Sequence, residues 1–419
     1  MDTQRDNPPS DTGTTPVGVL VLGMVLLALS ALPDAMVVPV MKQLLVDRYQ
    51  VDPSAAHLFM SVNILGAFLA AGTIIRWTRR VSLASALCVA SLLNAALLAL
   101  MALPIGFLPT LGVRTIEGAA DITVYALLFT MLSRIGSKET RGRRMGMAAT
   151  CMMLGIAGGI GLGGVVGAQH AVATLWSGAL VCVLVALCVF LGLRAGVAHT
   201  ESALVDVTHT AMSRIRRLWP ALLMMFADRG VGGLLAITVP LYLGGAMDLA
   251  PPAIGQLIGV AMLGMALGAW PAGRLVDRFG VLRTRLVGGV LYASGFALIP
   301  LSVESGGGLA WMVFAMTGLG GASLFASSLV LVCQRSSDSG AMGAYHAAGN
   351  LGFFAGPLIA AGTLRILGGV DPDANAFGSV LVGFALAHAV LGTIGLLGAL
   401  RPGMRDAESD GVSHATQIA

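Results

Sequence analysis

The chain has 419 residues, of which 56% are hydrophobic and only 11% charged, with a mean hydropathy of +0.85. A soluble domain carries about 25% charged residues, so a soluble globular class is excluded. The net charge of +4 does not point to nucleic acid, because the basic residues sit in loops with a clear sidedness.

A bilayer crossing takes about 20 apolar residues, and apolar stretches of that size recur along the chain. Residues 1–16 are polar and Pro/Thr-rich and read as a disordered cytoplasmic tail, lacking the basic start and small-residue cleavage site of a signal peptide. Apolar spans follow at 17–40, 55–75, 82–103, 105–132, 145–168 and 171–193, then at 219–243, 252–272, 285–303, 308–332, 342–364 and 377–400. The expected fold class is all-α, with twelve transmembrane helices in two six-helix bundles (17–194 and 219–400), a cytoplasmic central linker at 195–218 and a cytoplasmic tail at 401–419. Only Lys42, Arg48 and Arg365 fall in loops of one sidedness, and Arg114 and Arg229 lie inside spans, so the remaining 20 of the 25 Lys and Arg share the other side. Under the positive-inside rule both termini are cytoplasmic. The expected location is a bacterial inner membrane.

The 56 glycines let helices approach closely where lipid supplies no hydrophobic force between them. The five cysteines lie in or at the ends of apolar segments without a C-x-x-C pair, so no metal site or disulfide framework is indicated. The two halves are related. Met145-Gly146, Leu154-Gly155 and Gly159 recur as Met342-Gly343, Leu351-Gly352 and Gly356 at one offset of 197 residues, and Asp34 and Asp228 are 194 apart. Such a parallel repeat suits a transporter that rocks two bundles around a central site.

Three segments carry a resemblance to a known family. Gly273-Arg274-Leu275-Val276-Asp277-Arg278-Phe279-Gly280, with Arg283 beyond, resembles the loop signature (motif A) of the major facilitator superfamily. Arg114-Thr115-Ile116-Glu117-Gly118 resembles its motif B, and Gly155 to Gly164, with Gly159 and Gly163, its motif C, which is associated with antiporters. In the first half Arg76 stands where motif A has Asp, and Ile160 replaces the motif C proline that Pro357 keeps in the second half. The resemblance implies two pseudo-symmetric bundles whose spans one, four and seven line a central cavity. It also implies helix-packing or conformational roles for Gly155, Gly159, Gly163, Gly352, Gly356 and Pro357.

Asp34, Arg114, Glu117, Asp121, Asp228 and Arg229 lie well inside spans. Each costs about 2.5–3.5 kcal/mol if left facing lipid, so they are expected to face a cavity or one another. Arg114, Glu117, Asp121 and Tyr125 share one face of span four. At 1.5 Å per residue, Asp34 and Arg114 lie on the order of 10 Å from the outer boundary and Asp121 and Asp228 about 14–16 Å from the inner one. Partnerships across the bundles are therefore expected at an outer and a middle level. Four carboxylates face two arginines, and a poorly solvated carboxylate without a fixed cation can exchange a proton near neutral pH. Glu117 and Asp121 are the expected proton carriers, then Asp34, with Arg114 favouring release. The competing reading is a self-neutralising Arg114–Glu117 pair that only holds the bundle.

Asp277 and Arg278, with Gly273, Gly280 and Arg76, read as a gating loop that locks one conformation, or as a solvated loop that sets topology. Among the histidines only His346 and His388 lie inside spans. His346 could sense cytoplasmic pH, with a packing role the commoner alternative. No P-loop is present, and the glycine pairs follow helical rather than strand spacing. The chain is expected to be no enzyme, to hold no cofactor or metal, and to work as a monomer in the lipid bilayer with protons and a small-molecule substrate as partners. Proton-coupled efflux of a small organic solute is the leading expectation. Proton-linked uptake of a metabolite whose anion is held by Arg114 or Arg229 comes next, then a non-transporting sensor or assembly factor.

Overall fold

The computed structural model describes residues 16–78, 81–135, 141–192, 211–335 and 339–400. The two expected tails, apart from Pro16, and residues 195–210 of the expected linker lie outside these. Every apolar stretch becomes one long helix. These are α1 (Pro16–Met36), α2 (Leu58–Thr78), α3 (Leu83–Ala102), α4 (Phe107–Arg134), α5 (Arg141–Val166), α6 (Ala173–Gly192), α7 (Ala211–Ala236), α8 (Pro251–Phe279), α9 (Val281–Ser305), α10 (Gly308–Arg335), α11 (Ser339–Gly368) and α12 (Ala374–Ala399). Among the described residues eleven are long and apolar enough to cross a membrane. With α2 of matching length, the two-bundle, twelve-helix fold is complete.

Several helices overrun the apolar stretches at their polar ends because local helical hydrogen bonding continues into polar sequence, whereas α1 and α7 break off at Met36 and Ala236, short of the expected 40 and 243. α7 starts at Ala211, inside the stretch expected to be linker. α8 runs through Phe279, so Gly273 to Arg278 are helical and the chain turns only at Gly280, at φ +84°. A residue without Cβ adopts that conformation without strain. The expected gating loop is thus mostly the last turns of a helix.

Glycines set how the bundles pack. A Cβ on Gly155, Gly159 or Gly163 of α5 would run into the carbonyl oxygens of Ala28, Leu32 and Met36 of α1. In the second half Gly352 and Gly356 of α11 meet the carbonyls of Phe226 and Gly230 of α7 in the same way, and Pro357 lies against Gly233. Gly155 and Gly352 differ by 197, as do Gly159 and Gly356, whereas Ala28 and Phe226, like Leu32 and Gly230, differ by 198. The structural counterpart of Asp34 is therefore Gly232, and that of Asp228 is Ser30, one helical turn from the pairing the sequence offset suggests. A second crossing repeats likewise. Gly118 of α4 abuts the Asn63 carbonyl of α2, and Gly318 of α10 abuts that of Ala261 in α8.

With twelve helices both ends of the described chain reach one face, here the terminus face, opposite a distal face. Apolar packing differs between the two. On the distal side one continuous core joins both bundles, from Ala35, Val40 and Phe59 to Val231, Leu243, Ile254 and Phe377. Towards the terminus face it divides. One core holds only first-half residues such as Leu27, Leu87 and Leu132, the other only second-half residues such as Leu218, Val276 and Tyr345. Distal links reinforce the closure. His57 Nε2 lies 3.0 Å from Thr238 Oγ1, Lys42 pairs with Asp248 at 3.9 Å, and Arg365 pairs with Asp52 at 3.8 Å. A Cβ on Gly164 would lie 2.7 Å from the Pro251 carbonyl across the bundle boundary. Among the described residues the molecule is sealed distally and its bundles separate towards the terminus face.

Candidate functional site

Asp34 and Arg114 sit where the shared core gives way to the divided ones, since Ala35 and Leu111 belong to the former and Leu27 to the latter. Arg114 Nη1 donates to Asp34 Oδ1 at 2.7 Å and to Glu117 Oε2 at 2.6 Å. Asn63 Nδ2 donates to the same Glu117 oxygen at 2.9 Å, and the Arg114 guanidinium lies 4.7 Å from the Phe59 ring centre. The other Glu117 oxygen is buried without a hydrogen-bond partner. Asp121, one turn along, has among the described residues only a long contact of 3.5 Å from Asn94 Nδ2. One oxygen each of Asp34, Glu117 and Asp121 lies within 4.8 Å of the others, a spacing that a bound cation would also fit. Arg114 already supplies the cation that Asp34 and Glu117 share.

Three carboxylates therefore face one guanidinium, with Arg114 and Glu117 fully buried and Asp34 23% exposed. Tyr125 continues the α4 stripe but donates to the Ser30 carbonyl at 3.2 Å, bracing α4 against α1. The corresponding face of α10, read through the glycine crossings, carries Phe314, Thr317 and Gly321. The charged stripe has no charged counterpart in the second half.

Asp228 does not join this cluster, and no middle-level pairing with Asp121 is present. Its oxygens accept from Arg285 Nη2 at 2.8 Å and Nη1 at 3.0 Å, and His388 Nε2 lies 2.9 Å from Oδ1. Ser328 Oγ accepts from the same guanidinium at 2.8 Å, and Tyr292 OH donates to the Asp228 carbonyl at 3.4 Å. The expected outer partners, Asp34 and Arg114, do meet, but inside the first bundle, and in place of the middle-level partnership Asp228 is engaged inside the second. The reason is geometric: α4 crosses α2 and packs on α1, while Arg285 on α9 reaches α7 directly.

Arg229 points elsewhere from its neighbour. Its Nε is buried without an acceptor, its stem lies along Gly349 of α11, and no ion pair engages it among the described residues. Of the two arginines expected to be able to hold an anion, Arg114 is committed to carboxylates and Arg229 is open. Asp277 and Arg278 are exposed on the terminus face, and Asp277 makes no ion pair among the described residues. The side chain of Arg76 lies outside the described residues. His346 is exposed, with its ring 5.5 Å from Tyr345. His388, not His346, is the histidine in a charged network.

Sequence reasoning missed Arg285, because its span was placed to begin at 285 and the charge read as a loop residue. It also missed Asn63, Asn94 and Ser328. An intramembrane amide beside a carboxylate stripe is a usable signal for the first two; nothing marks Ser328.

Two helical bundles sealed at one face, with buried charges where they part, define a multi-pass membrane protein with the fold of a transporter. The chain belongs to the Major Facilitator Superfamily, whose pattern matches residues 23–228 and again 218–411. It is 25% identical over 251 residues to a protein of Yersinia enterocolitica described as an uncharacterized MFS-type transporter, YE1530, covering 56% of this chain and 59% of that one. A Yersinia pestis relative described in the same terms is 24% identical over the same length. The chain thus matches a little over half the length of these relatives. Among solved structures the nucleoside transporter NupG superposes with a TM-score of 0.72 at 15% identity, covering 91% of this chain and 100% of that one. A bacterial homologue of the human lysosomal transporter Spinster, inward-facing and unoccupied, gives 0.71 at 14% identity, covering 92% and 96%. The human organic anion transporter MFSD10 gives 0.65 at 18%, covering 92% and 100%. At these identities the likeness is one of fold.

Proposed function

We propose that this protein is a proton-coupled exporter of a small organic solute, working by alternating access as a monomer in a bacterial inner membrane. One observation carries the reading: three carboxylates, Asp34, Glu117 and Asp121, share a single guanidinium at the floor of the distal seal. Two negative charges are left without a fixed partner, and a charge buried in a membrane protein demands one. A proton on Glu117 or Asp121 meets that demand, and so does the cationic end of a solute. The two compete for one place, so binding one releases the other.

The positive-inside rule puts the terminus face in the cytoplasm. The state described above is then inward-facing, with the carboxylates reached from the compartment where an exporter loads. The exposed last turn of α8, with Asp277 and Arg278, acts as a lock for the opposite state and is disengaged in this one.

The test uses proteoliposomes and a solute found by thermal-shift screening. Under an imposed pH gradient the wild type moves the solute uphill. Glu117→Gln and Asp121→Asn should lose uphill transport yet keep solute-for-solute exchange, which needs no proton. If both variants match wild type in uphill transport and its pH dependence, the carboxylates do not carry the proton.

A further inference from the structure

Arg229 is the feature that the proton reading leaves unused. It lies on α7 between Met225, in the divided second-half core, and Val231, in the shared distal core. That is a little less than one helical turn nearer the terminus face than Gly232, the counterpart of Asp34. A guanidinium stays charged in proteins, so Arg229 cannot escape burial by losing a proton. Arg229 is only partly buried, and yet it lacks what the fully buried guanidinium groups have: Arg114 is matched by Asp34 and Glu117, and Arg285 by both oxygens of Asp228. The neighbouring Asp228, which would have been the obvious partner, is turned away to Arg285 and His388.

Among the described residues the surroundings of Arg229 supply no anion but Asp228, which is already engaged by Arg285 and His388. Tyr292 and Tyr345 are the other ionisable side chains near it besides Asp228, and Arg229 in turn is felt by the His346 ring on α11. Gly349 contributes no side chain where the Arg229 stem passes. One wall of the dividing region therefore carries an unmatched charge of minus two, from Asp34, Arg114, Glu117 and Asp121. The other carries an unmatched plus one.

We infer that Arg229 is the subsite for an anionic group of the solute, so that the transported class is zwitterionic: a small organic acid that also bears an amine or quaternary ammonium. The inference rests on the competition between proton and cation proposed above, and adds a second contact to it. The carboxylate of the solute takes two parallel hydrogen bonds from the guanidinium fork, while its cationic end displaces the proton at the Asp34–Glu117–Asp121 cluster.

The experiment is a thermal-shift and binding screen of purified full-length protein with a charge-sorted trio: phenethylamine, 3-phenylpropionate and phenylalanine, extended to further amines, carboxylates and betaines of similar size. Wild type, Arg229→Gln, Arg229→Lys and Glu117→Gln are compared at pH 6 and pH 8. The zwitterions should stabilise the wild type most. Arg229→Gln should weaken zwitterion binding by about 10- to 100-fold, the value of a hydrogen bond to a charged group, and leave amine binding unchanged. Arg229→Lys should lose part of it, since an ammonium is a point charge without the fork. Without ligand, Arg229→Gln should melt no lower than wild type, because it removes a charge that nothing in the protein matches.

Amines binding as tightly as zwitterions, zwitterions giving no shift at 10 mM on the order of weak transporter affinities, or zwitterion binding indifferent to Arg229→Gln would each overturn the subsite. So would a clearly lower melting temperature of ligand-free Arg229→Gln, which would reveal a structural partner. Failure of the proton reading looks different: zwitterion binding that depends on Arg229 but is the same at both pH values in wild type and Glu117→Gln. Anions binding best of all would retain Arg229 as an anion site and refute the zwitterion.

Discussion

At the scale of single residues the two charged groups differ in what they can tolerate. Arg285 is matched on both nitrogens by Asp228, with Ser328 and His388 completing the set. Removing one partner of such a pair strands the other charge and costs about 3–5 kcal/mol. Asp228→Asn should therefore lower the melting temperature sharply, measured in detergent on purified protein. The double replacement of Asp228 by Leu and Arg285 by Met should recover much of the loss, since apolar residues of similar volume often replace a buried pair without cost. If the double variant transports normally, the pair is a brace. The residues of the first-half cluster were legible from the chain because three charges at spacings of three and four on an apolar helix have to face inwards. Arg285 was not, because one charge near the end of an apolar stretch looks the same whether it bends back into the bundle or out to water.

At the scale of elements the glycines make two kinds of prediction from one helix. On α5, a Cβ at Gly155 would overlap the Ala28 carbonyl, whereas a Cβ at Gly161 would meet nothing within 4 Å. Gly155→Ala should cost about 1–3 kcal/mol by forcing α1 and α5 apart. Gly161→Ala should be neutral or stabilising by up to about 1 kcal/mol, through the better helix propensity of alanine. Comparing the two melting temperatures separates packing glycines from merely permissive ones. Equal losses would mean that α5 does not sit on α1 as described. The number and order of the helices were legible from hydropathy alone, and the repeat from the shared offset of 197. The true register of α1 against α7 was not. It depends on which backbone carbonyls the glycines touch, and no spacing within a single strand of sequence records that.

At the scale of the whole molecule the question is what holds the distal face shut. The ion pairs Lys42–Asp248 and Arg365–Asp52 are long and each has one well-exposed partner, and pairs open to solvent contribute about 0–1 kcal/mol. Asp248→Asn should thus leave the conformational balance unchanged. The apolar core shared by both bundles, and the close backbone approach of Gly164 to Pro251 and of Gly255 to Ile160, are the stronger links. Gly164→Leu should wedge the bundles apart there and shift the population towards a distally open state. Spin labels at positions 42 and 248 in a cysteine-free background would report it as a longer distance distribution. An unchanged distribution would place the seal elsewhere.

The same lopsided packing has an electrical meaning. Asp34, at 23% exposure, is the partly open member of the cluster where the bundles part, and a merged apolar core such as the one beyond it is an insulator. The voltage across the membrane then drops over that thin plug rather than over the full thickness of the bilayer. Each elementary charge carried through the drop is worth about 2.3 kcal/mol per 100 mV. In the proposed alternating-access cycle, moving the seal to the opposite face would make the carboxylates change sides of the field while their own atoms need travel little. If the carboxylates carry protons as proposed, the number they hold at that moment decides whether the membrane potential pushes the return step or resists it.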